Sequence, residues 1–406
     1  VTHLQPICLP EAFVRNRGVD PANAFRWEHR AVCTGEGGER YVLSEIGYNP
    51  YRYDDADRDK EETSGHVLAR YTPDGTPVTQ AFLDWGRSDS IVGDGGYHPG
   101  SLCLLPDGRV LYSMRNDRAF AFTPALDAME EVTAPGAKRW AFRTRLTPSG
   151  RALCLLGDNT VALSTEPVGA KLPKLTAVTA LMRERPPVGH APRYCPPSGA
   201  SGEGTPLTEL VEQLGAAYGT GLGRPDPENV RDVVPIDDST FVVVTVGWSK
   251  WAGRRGGDFL FALVNAEGTL LGHLDLHTYW DSAARGTRYD VVADHERRRF
   301  FHLNTFGLYA FDDSGNRTLH LSTEDKEYKP LARFQLREFD PTGSLVLIHE
   351  KQHLLLTVPV PDDLAELPGA VVDALAHFRR ARTRLKKEHQ PQNWYWRTSK
   401  APLSSF

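Results

Sequence analysis

The sequence predicts an all-β chain: a β-propeller of six four-stranded blades, closed by an N-terminal strand, with a helical insertion and a C-terminal helix. The leading observation is a recurring strand–turn–strand unit. SLCLL-PDG-RVLYS (101–113), RTRL-TPSG-RALCLL (143–156), VVPI-DDST-FVVVTV (233–246), DVVA-DHERR-RFFHL (290–303) and QLREF-DPTG-SLVLI (335–348) each run an apolar, β-branched or aromatic stretch into a tight turn and out again. Asp and Gly suit such turns because they accept positive φ or bond back to their own backbone. A second observation is that each unit is followed by another hairpin half, such as RAFAFT (118–123), TVALS (160–164) or LYAF (308–311). The repeat is therefore four antiparallel strands. The third is composition: 36 Gly and 29 Pro against 3 Met in 406 residues favour many turns over long helices. Periodic four-stranded units stack as propeller blades, which buries sheet faces and protects edges.

Taken in order, the blades are expected at 28–84, 100–133, 140–180, 231–276, 288–322 and 333–360. The sixth shows three strands and no obvious fourth. HLQPICL (3–9) is a spare strand-like segment that would complete it as the outer strand, and Pro6 fits an edge, where a missing N–H is tolerated. Residues 1–360 then form the propeller, with an insertion at 181–230, and 361–406 a basic helical extension. Within the insertion, TPLTELVEQLGAAYG reads as a helix with Thr205 as N-cap, Pro206 at its first position, and Leu207, Leu210, Val211 and Leu214 on one face. The extension predicts a helix from about 369 to 389 with Val371, Val372, Leu375 and Phe378 as an apolar stripe and Leu385 further along. Residues 371–406 hold eight basic and two acidic side chains, a net of +6, which leaves −11 on the remainder of a chain whose total is −5.

Antiparallel topology puts the loops between second and third strands, and the crossovers between blades, on one face. That face receives the long loops, 48–65, 84–99, 181–230, 248–257 and 276–287, while the other carries only short turns. Long loops on a rigid scaffold are where binding concentrates. The candidate binding residues are Tyr97 and His98 in GDGGYHPG, Trp248, Trp251, Arg254 and Arg255 in WSKWAGRRGG, and Tyr279 and Trp280 in HTYWDSAARGTR. Aromatic and arginine side chains are the usual anchors of protein interfaces. The same tryptophans also suit packing of the loops onto the propeller rim.

No catalytic motif is present. The chain lacks G-x-x-x-x-G-K-[ST], G-x-S-x-G and H-E-x-x-H. Its five cysteines are widely spaced with no C-x-x-C, so neither a zinc site nor a disulfide framework is expected, and a reducing compartment, the cytoplasm, is. His273, Asp275 and His277 in GHLDLH alternate on one strand face, the pattern of a solvent-facing outer strand with Leu274 and Leu276 inward. The LPDGR-type turns, together with closure by an N-terminal strand, resemble the six-bladed propellers of the SMP-30, NHL and TolB-like families over most of residues 3–360. The SMP-30 resemblance implies metal ligands projecting from inner strands into the channel. The acids available there, Asp237, Asp294 and Glu338, do not form a cluster, so no metal ligand is carried over.

The expected function is a non-catalytic propeller scaffold in a bacterial multi-protein system, engaging a protein partner through the loop-rich face and the C-terminal helix. No catalytic residue, metal or cofactor is assigned. The alternative is a metal-dependent hydrolase or lactonase at the mouth of the channel. The acidic body disfavours nucleic acid, for which the C-terminal basic helix is the only candidate region. No run of about 18 apolar residues is present to span a membrane.

Overall fold

Six antiparallel sheets follow one another along the chain, each built outward from its first strand. The structure, a computed structural model, describes residues 1–5, 7–10, 25–48, 63–83, 101–113, 119–132, 143–156, 160–169, 173–180, 200–201, 205–217, 222–249, 257–276, 278–279, 290–349, 353–388, 396–399 and 404–405. Blade 1 comprises Phe25–Thr34, Arg40–Tyr48, Thr63–Tyr71 and Pro77–Leu83. Blade 2 comprises Ser101–Leu104, Val110–Ser113, Ala119–Phe122 and Met129–Val132. Blade 3 comprises Arg143–Leu146, Arg151–Leu155, Val161–Pro167 and Leu175–Ala180. Blade 4 comprises Leu222–Pro235, Thr240–Ser249, Gly257–Asn265 and Leu270–His273. Blade 5 comprises Val291–Asp294, Arg299–Leu303, Gly307–Phe311 and Arg317–Ser322. Blade 6 comprises Phe334–Asp340, Ser344–His349 and Leu354–Pro359. The first strand of each blade touches the first strand of the next, and that of blade 6 returns to that of blade 1. These strands therefore surround the axis.

The core is divided among the seams between blades. Alternate side chains of a strand point to opposite sheet faces, and each face meets a neighbouring blade. Six apolar clusters result, one per seam. Between blades 1 and 2, for example, Tyr41, Leu43 and Leu68 meet Val110, Tyr112 and Phe122. Between blades 4 and 5, Val242, Val244 and Phe261 meet Val291, Phe300 and Phe311. This is why the middle strands read as continuous apolar runs: Ser344–His349 is buried at every position.

The ring is closed by the N-terminus, in a form shorter than the sequence suggested. Thr2–His3 pairs antiparallel with Leu355 and Leu354 and supplies the outer strand of blade 6. The expectation of one strand over 3–9 is corrected, because Ile7–Pro10 instead pairs in parallel with Trp396–Ser399. Leu4 and Ile7 are both buried in the seam between blades 6 and 1, so the chain leaves the edge of blade 6 to enter that seam. It crosses the last turn of blade 1, where Gln5 N–H donates to Gly75 O at 2.9 Å. Gly75 has φ +91°, and a Cβ there would lie 2.1 Å from His3 O, so both turn and crossing require glycine.

The insertion forms helix α1, Leu207–Ala217. Thr205 is not its N-cap. Thr205–Pro206 instead pairs in parallel with Thr179–Ala180 of blade 3, and the Thr205 hydroxyl donates to Glu267 O at 3.2 Å. Leu210 and Leu214 are buried in the cluster between blades 3 and 4, so α1 covers a seam. The C-terminal helix α2, Leu367–Glu388, follows a short 3-10 turn capped by Asp363, whose carboxylate accepts from Ala365 N–H at 2.9 Å. Val371, Leu375, Phe378 and Leu385 are buried against blades 5 and 6, whereas Val372 is only partly covered. The Phe378 ring meets Phe334 edge-on at 4.8 Å. Beyond α2, Ser404–Ser405 pairs in parallel with Ala81–Phe82, so the tail reaches the outer edge of blade 1. Among the described residues no helix is long and apolar enough to cross a membrane.

Because Phe378 fills the junction of α2 with blade 6, Phe378→Ala is expected to destabilise the chain by about 3–5 kcal/mol. Arg380→Ala, on the exposed face of α2, is expected to stay within about 0.5 kcal/mol. Urea denaturation of both variants checks the contrast.

Candidate functional site

All six inner strands run from the loop-rich end of the axis toward a short turn, and their buried polar side chains do different work at the two ends. At the turn end they serve the turns. Asp340 accepts from the N–H groups of Thr342 and Ser344, both at 3.0 Å. Asp237 accepts from Ser239 at 2.8 Å and Thr240 at 2.7 Å, and Asp294 from Arg297 at 3.1 Å. Of the three acids considered from the sequence, Asp237 and Asp294 are thus turn caps and only Glu338 faces the axis from mid-strand.

Toward the loop-rich end the polar groups bond between blades. His66 of blade 1 bonds to the hydroxyl of Tyr112 in blade 2. Thr144 N–H of blade 3 donates to Ser101 Oγ of blade 2 at 3.2 Å. Arg143 and Arg145 of blade 3 both reach Asp232 of blade 4, Nη1 to Oδ1 at 2.8 Å and Nη2 to Oδ2 at 3.1 Å. Arg337 of blade 6 pairs with Asp290 beside blade 5 at 3.3 Å and donates to His29 O of blade 1 at 3.2 Å. Between blades 4 and 5, the His302 ring meets Phe261 edge-on at 5.2 Å. A belt of mostly polar contacts thus runs round the ring at the level of the loops.

Two parts of this belt carry unusual electrostatics. Asp232 is fully buried. Burial pushes its carboxyl pKa up, but the Arg143 and Arg145 guanidiniums outweigh that and hold it below the usual range. His29 Nδ1 bonds to Ser44 Oγ at 2.8 Å and its Nε2 to His353 Nδ1 at 2.6 Å. Burial first, and then Arg337, holds His29 down to about 3. Burial, followed by His29, His3 and His349, holds His353 well below its ordinary value. Both rings are therefore neutral at neutral pH.

Deeper along the axis, the Glu338 carboxyl accepts from Thr34 N–H at 2.8 Å and from its hydroxyl at 2.7 Å. Burial raises it to about 7 against those bonds. Burial raises Cys33 well above its usual range, with Glu338 adding to the effect, and pushes Cys103 to about 12 against the neighbouring Arg145. These thiols stay protonated and are poor nucleophiles. Among the described residues, no group of three or more His, Cys, Asp or Glu could hold a metal ion.

Of the residues singled out from sequence, Tyr97, His98, Trp251, Arg254, Arg255 and Trp280 lie outside the described residues, and Trp248 and Tyr279 are described by their backbone alone. Those two are brought together. Trp248 pairs with Gly257 on one side of the third strand of blade 4, and Tyr279 with Asp258 on its other side. In GHLDLH, Leu274 and Leu276 are buried, while Asp275 is exposed and faces Arg317 at 3.7 Å. The exposure of Asp275 matches the expected solvent-facing side, but the outer strand ends at His273, so the expected alternation along one strand is corrected, and His277 lies outside the described residues. Sequence reasoning missed Arg143, Arg145, Asp232, Asp290 and Arg337. A search of inner strands for clustered acids passes over guanidinium–carboxylate pairs, although Arg-Thr-Arg at the start of an inner strand places two cations on one face.

No family model matches the chain, and no curated protein matches it. Among solved structures, the chain is similar to virginiamycin B lyase from Staphylococcus aureus, with 10% identity, 81% of this chain and 97% of that one covered, and a TM-score of 0.35. It is similar to the β-propeller domain of Cps50 (Swd1) from Myceliophteria thermophila, with 10% identity, coverage of 82% and 98%, and a TM-score of 0.37. It is also similar to hydrazine synthase of Kuenenia stuttgartiensis, with 10% identity, coverage of 86% and 83%, and a TM-score of 0.37. At this identity no residue role carries over.

Two predictions follow from the belt. Asp232→Asn removes the counter-charge of two guanidiniums and is expected to cost about 3–5 kcal/mol of stability. Asp275→Asn, at the exposed pair, is expected to cost less than about 1 kcal/mol by the same denaturant titration. The second concerns pH. The unfolded chain protonates His29 near its ordinary 6.5, whereas the folded chain does so only at about 3. This contribution is therefore complete above pH 6.5 and lost progressively down to about 3. Glu338 acts oppositely. Its folded value of about 7 lies above the ordinary 4.5, so its contribution grows as pH falls between those values. Glu338→Gln should steepen the loss of stability between pH 6.5 and 4.5 and leave the lower part of the curve unchanged, as read by denaturation midpoints across pH.

Proposed function

We propose that the protein is a non-catalytic β-propeller binding module that engages a protein partner over the loop-rich end of its axis. The observation that carries this reading is the polar belt. Side chains from every blade lock the ring at the end from which the long connections leave, so those connections spring from a rigid base. His29, Ser44 and His353 are engaged with one another there, and Asp232 with two arginines. That is the wiring of a scaffold. Helix α2 extends the surface. Its apolar stripe is spent on blades 5 and 6, which leaves Arg379 and Arg380 on the exposed side for an acidic surface. Grouping with the SMP-30, NHL and TolB-like propellers is supported by the turn motifs, and a cytoplasmic setting by the three buried free thiols, Cys33, Cys103 and Cys154.

The test is recovery of a partner with tagged wild type and with Trp248→Ala, Trp251→Ala and Trp280→Ala, each shown to be folded by circular dichroism. At least one variant is expected to weaken association by about tenfold or more, as removal of an aromatic anchor does. Unchanged association in all three sinks this binding face. Stoichiometric metal in the natively purified chain, with a hydrolytic activity lost on chelation, would replace the reading with a metal-dependent hydrolase or lactonase.

A further inference from the structure

The seam between blades 6 and 1 gathers histidines from three elements at the point where the ring closes. His3 lies on the closing strand and pairs with Leu354, and Leu4 N–H donates to His353 O at 3.0 Å. The His353 ring meets His29 of blade 1, Nδ1 to Nε2 at 2.6 Å. His353 therefore holds the closing strand through its backbone and the first blade through its side chain. It does so at φ +50°, a left-handed conformation that is unfavourable for a residue with a Cβ. Both rings are buried. One hydrogen lies between the two facing nitrogens, so protonating both rings would point two N–H groups at each other.

The surroundings of the pair oppose added positive charge. Among the described residues, Arg337 acts on His29, and His29, His3 and His349 act on His353, each a cation when charged. Arg337 Nη2 also donates to His29 O at 3.2 Å, and its Nη1 is paired with Asp290 at 3.3 Å. Blade 1 contributes the neutral Ser44 hydroxyl to His29, and helix α2 stacks the apolar Phe378 ring on His349 at 5.3 Å.

The same seam is held at two other levels by contacts that mild acid does not loosen. Thr34 donates to Glu338 from its N–H and its hydroxyl. Glu338 protonates from about 7 downward, after which one oxygen still accepts and the other donates. Nearer the turns, Arg40 Nη2 donates to Thr357 Oγ1 at 3.2 Å. Acid therefore acts on the histidine end of the seam and on the short strand attached to it. That strand meets blade 6 at two residue pairs, Thr2 with Leu355 and His3 with Leu354. On the other side it rests on the last turn of blade 1, through Thr2 Oγ1 to Pro73 O at 3.2 Å and Gln5 N–H to Gly75 O at 2.9 Å. Releasing so small an element exposes far less surface than unfolding a blade.

We propose that the ring closure is a proton-sensitive latch, in which acid releases Thr2–His3 from the outer edge of blade 6 while the blades themselves stay folded. Release separates the closing strand from His353, frees that residue from its left-handed backbone and lets the rings reach water. A hydrated histidine protonates near 6.5, whereas His29 in the closed ring does so only at about 3. Protons are thus bound on opening. The opening constant rises as pH falls through 6.5, by up to about tenfold per pH unit for each ring freed.

Amide hydrogen exchange of the full chain, read at single residues between about pH 7.5 and 4.5 with intrinsic rates divided out, tests the latch. The Leu4 amide is expected to lose protection by at least about tenfold per pH unit below 6.5, while Arg151–Leu155 of blade 3 keeps its protection. His353→Asn supplies a side chain that accepts the left-handed backbone and does not titrate, and His29→Gln keeps a hydrogen-bonding group. Each is expected to reduce the slope, and the double variant to abolish it. Leu4 protection that is independent of pH in wild type overturns the latch. So does loss of protection at Leu4 and Arg151–Leu155 together, which is unfolding of the whole chain, or a full slope in the double variant. Should the variants fail to fold, exchange of the imidazole C2 hydrogens in wild type, followed by mass spectrometry, reports the protonation of each ring. His29 and His353 are expected to titrate together with the loss of Leu4 protection, and titration at a different pH overturns the proposal.

Discussion

Thr2 and His3 pair with Leu355 and Leu354, and the remaining structure depends on that closure. An open row of blades would leave two sheet faces and an edge to water. A closed ring gives every blade a neighbour on both sides, so one pattern of apolar strands can be used six times. The seam between blades 6 and 1 gathers residues that are far apart in sequence: Leu4, Ile7, Val32, Val67 and Phe82 from one end, and Val346, Ile348 and Leu355 from the other. The chain reinforces this seam more than once. Trp396–Ser399 lies beside Ile7–Pro10, and Ser404–Ser405 lies beside the outer strand of blade 1.

Closure also explains where polar groups can be buried. Within a seam, a polar side chain needs its partner on the facing blade, and only a fixed ring keeps that partner in register. At the turn end the partners are local N–H groups, so Asp237, Asp294 and Asp340 cap their own turns. At the loop end the partners belong to other blades, and the bonds fix the orientation of each blade relative to the next. Burying Asp232 would be strongly unfavourable alone. Two guanidiniums compensate it, and of the two Arg143 is the more deeply covered.

Much of the fold was legible because its determinants are local. Turn residues such as Asp107 and Gly108 or Thr342 and Gly343, followed by alternating apolar runs, are read within about ten residues of chain. Most blade boundaries, α2 and the inward leucines of GHLDLH follow from such signals, but the first strand of blade 4 begins at Leu222, inside the span 181–230 read as an insertion. Elements that compete between local and distant partners were read less well. Thr205 has the sequence of an N-cap, yet it pairs with blade 3 because the strand edge at Thr179 lies within its reach. Residues 3–9 look like one strand, yet they divide because Leu4 and Ile7 are more favourably buried in the seam than left along an edge.

The candidate site was legible only in outline. That one end of the axis carries the long connections follows from strand order and loop length. Which side chains line that end does not, since Arg145 and Asp232 are 87 residues apart and His29 and His353 are 324 apart. Sequence by itself determined the strands, the turns, the period of four and the uneven faces, because each depends on interactions between near neighbours. Tertiary structure alone decided which charges share a counter-ion and which histidines stay neutral. Those outcomes depend on distances and desolvation across seams, which exist only once the ring has closed.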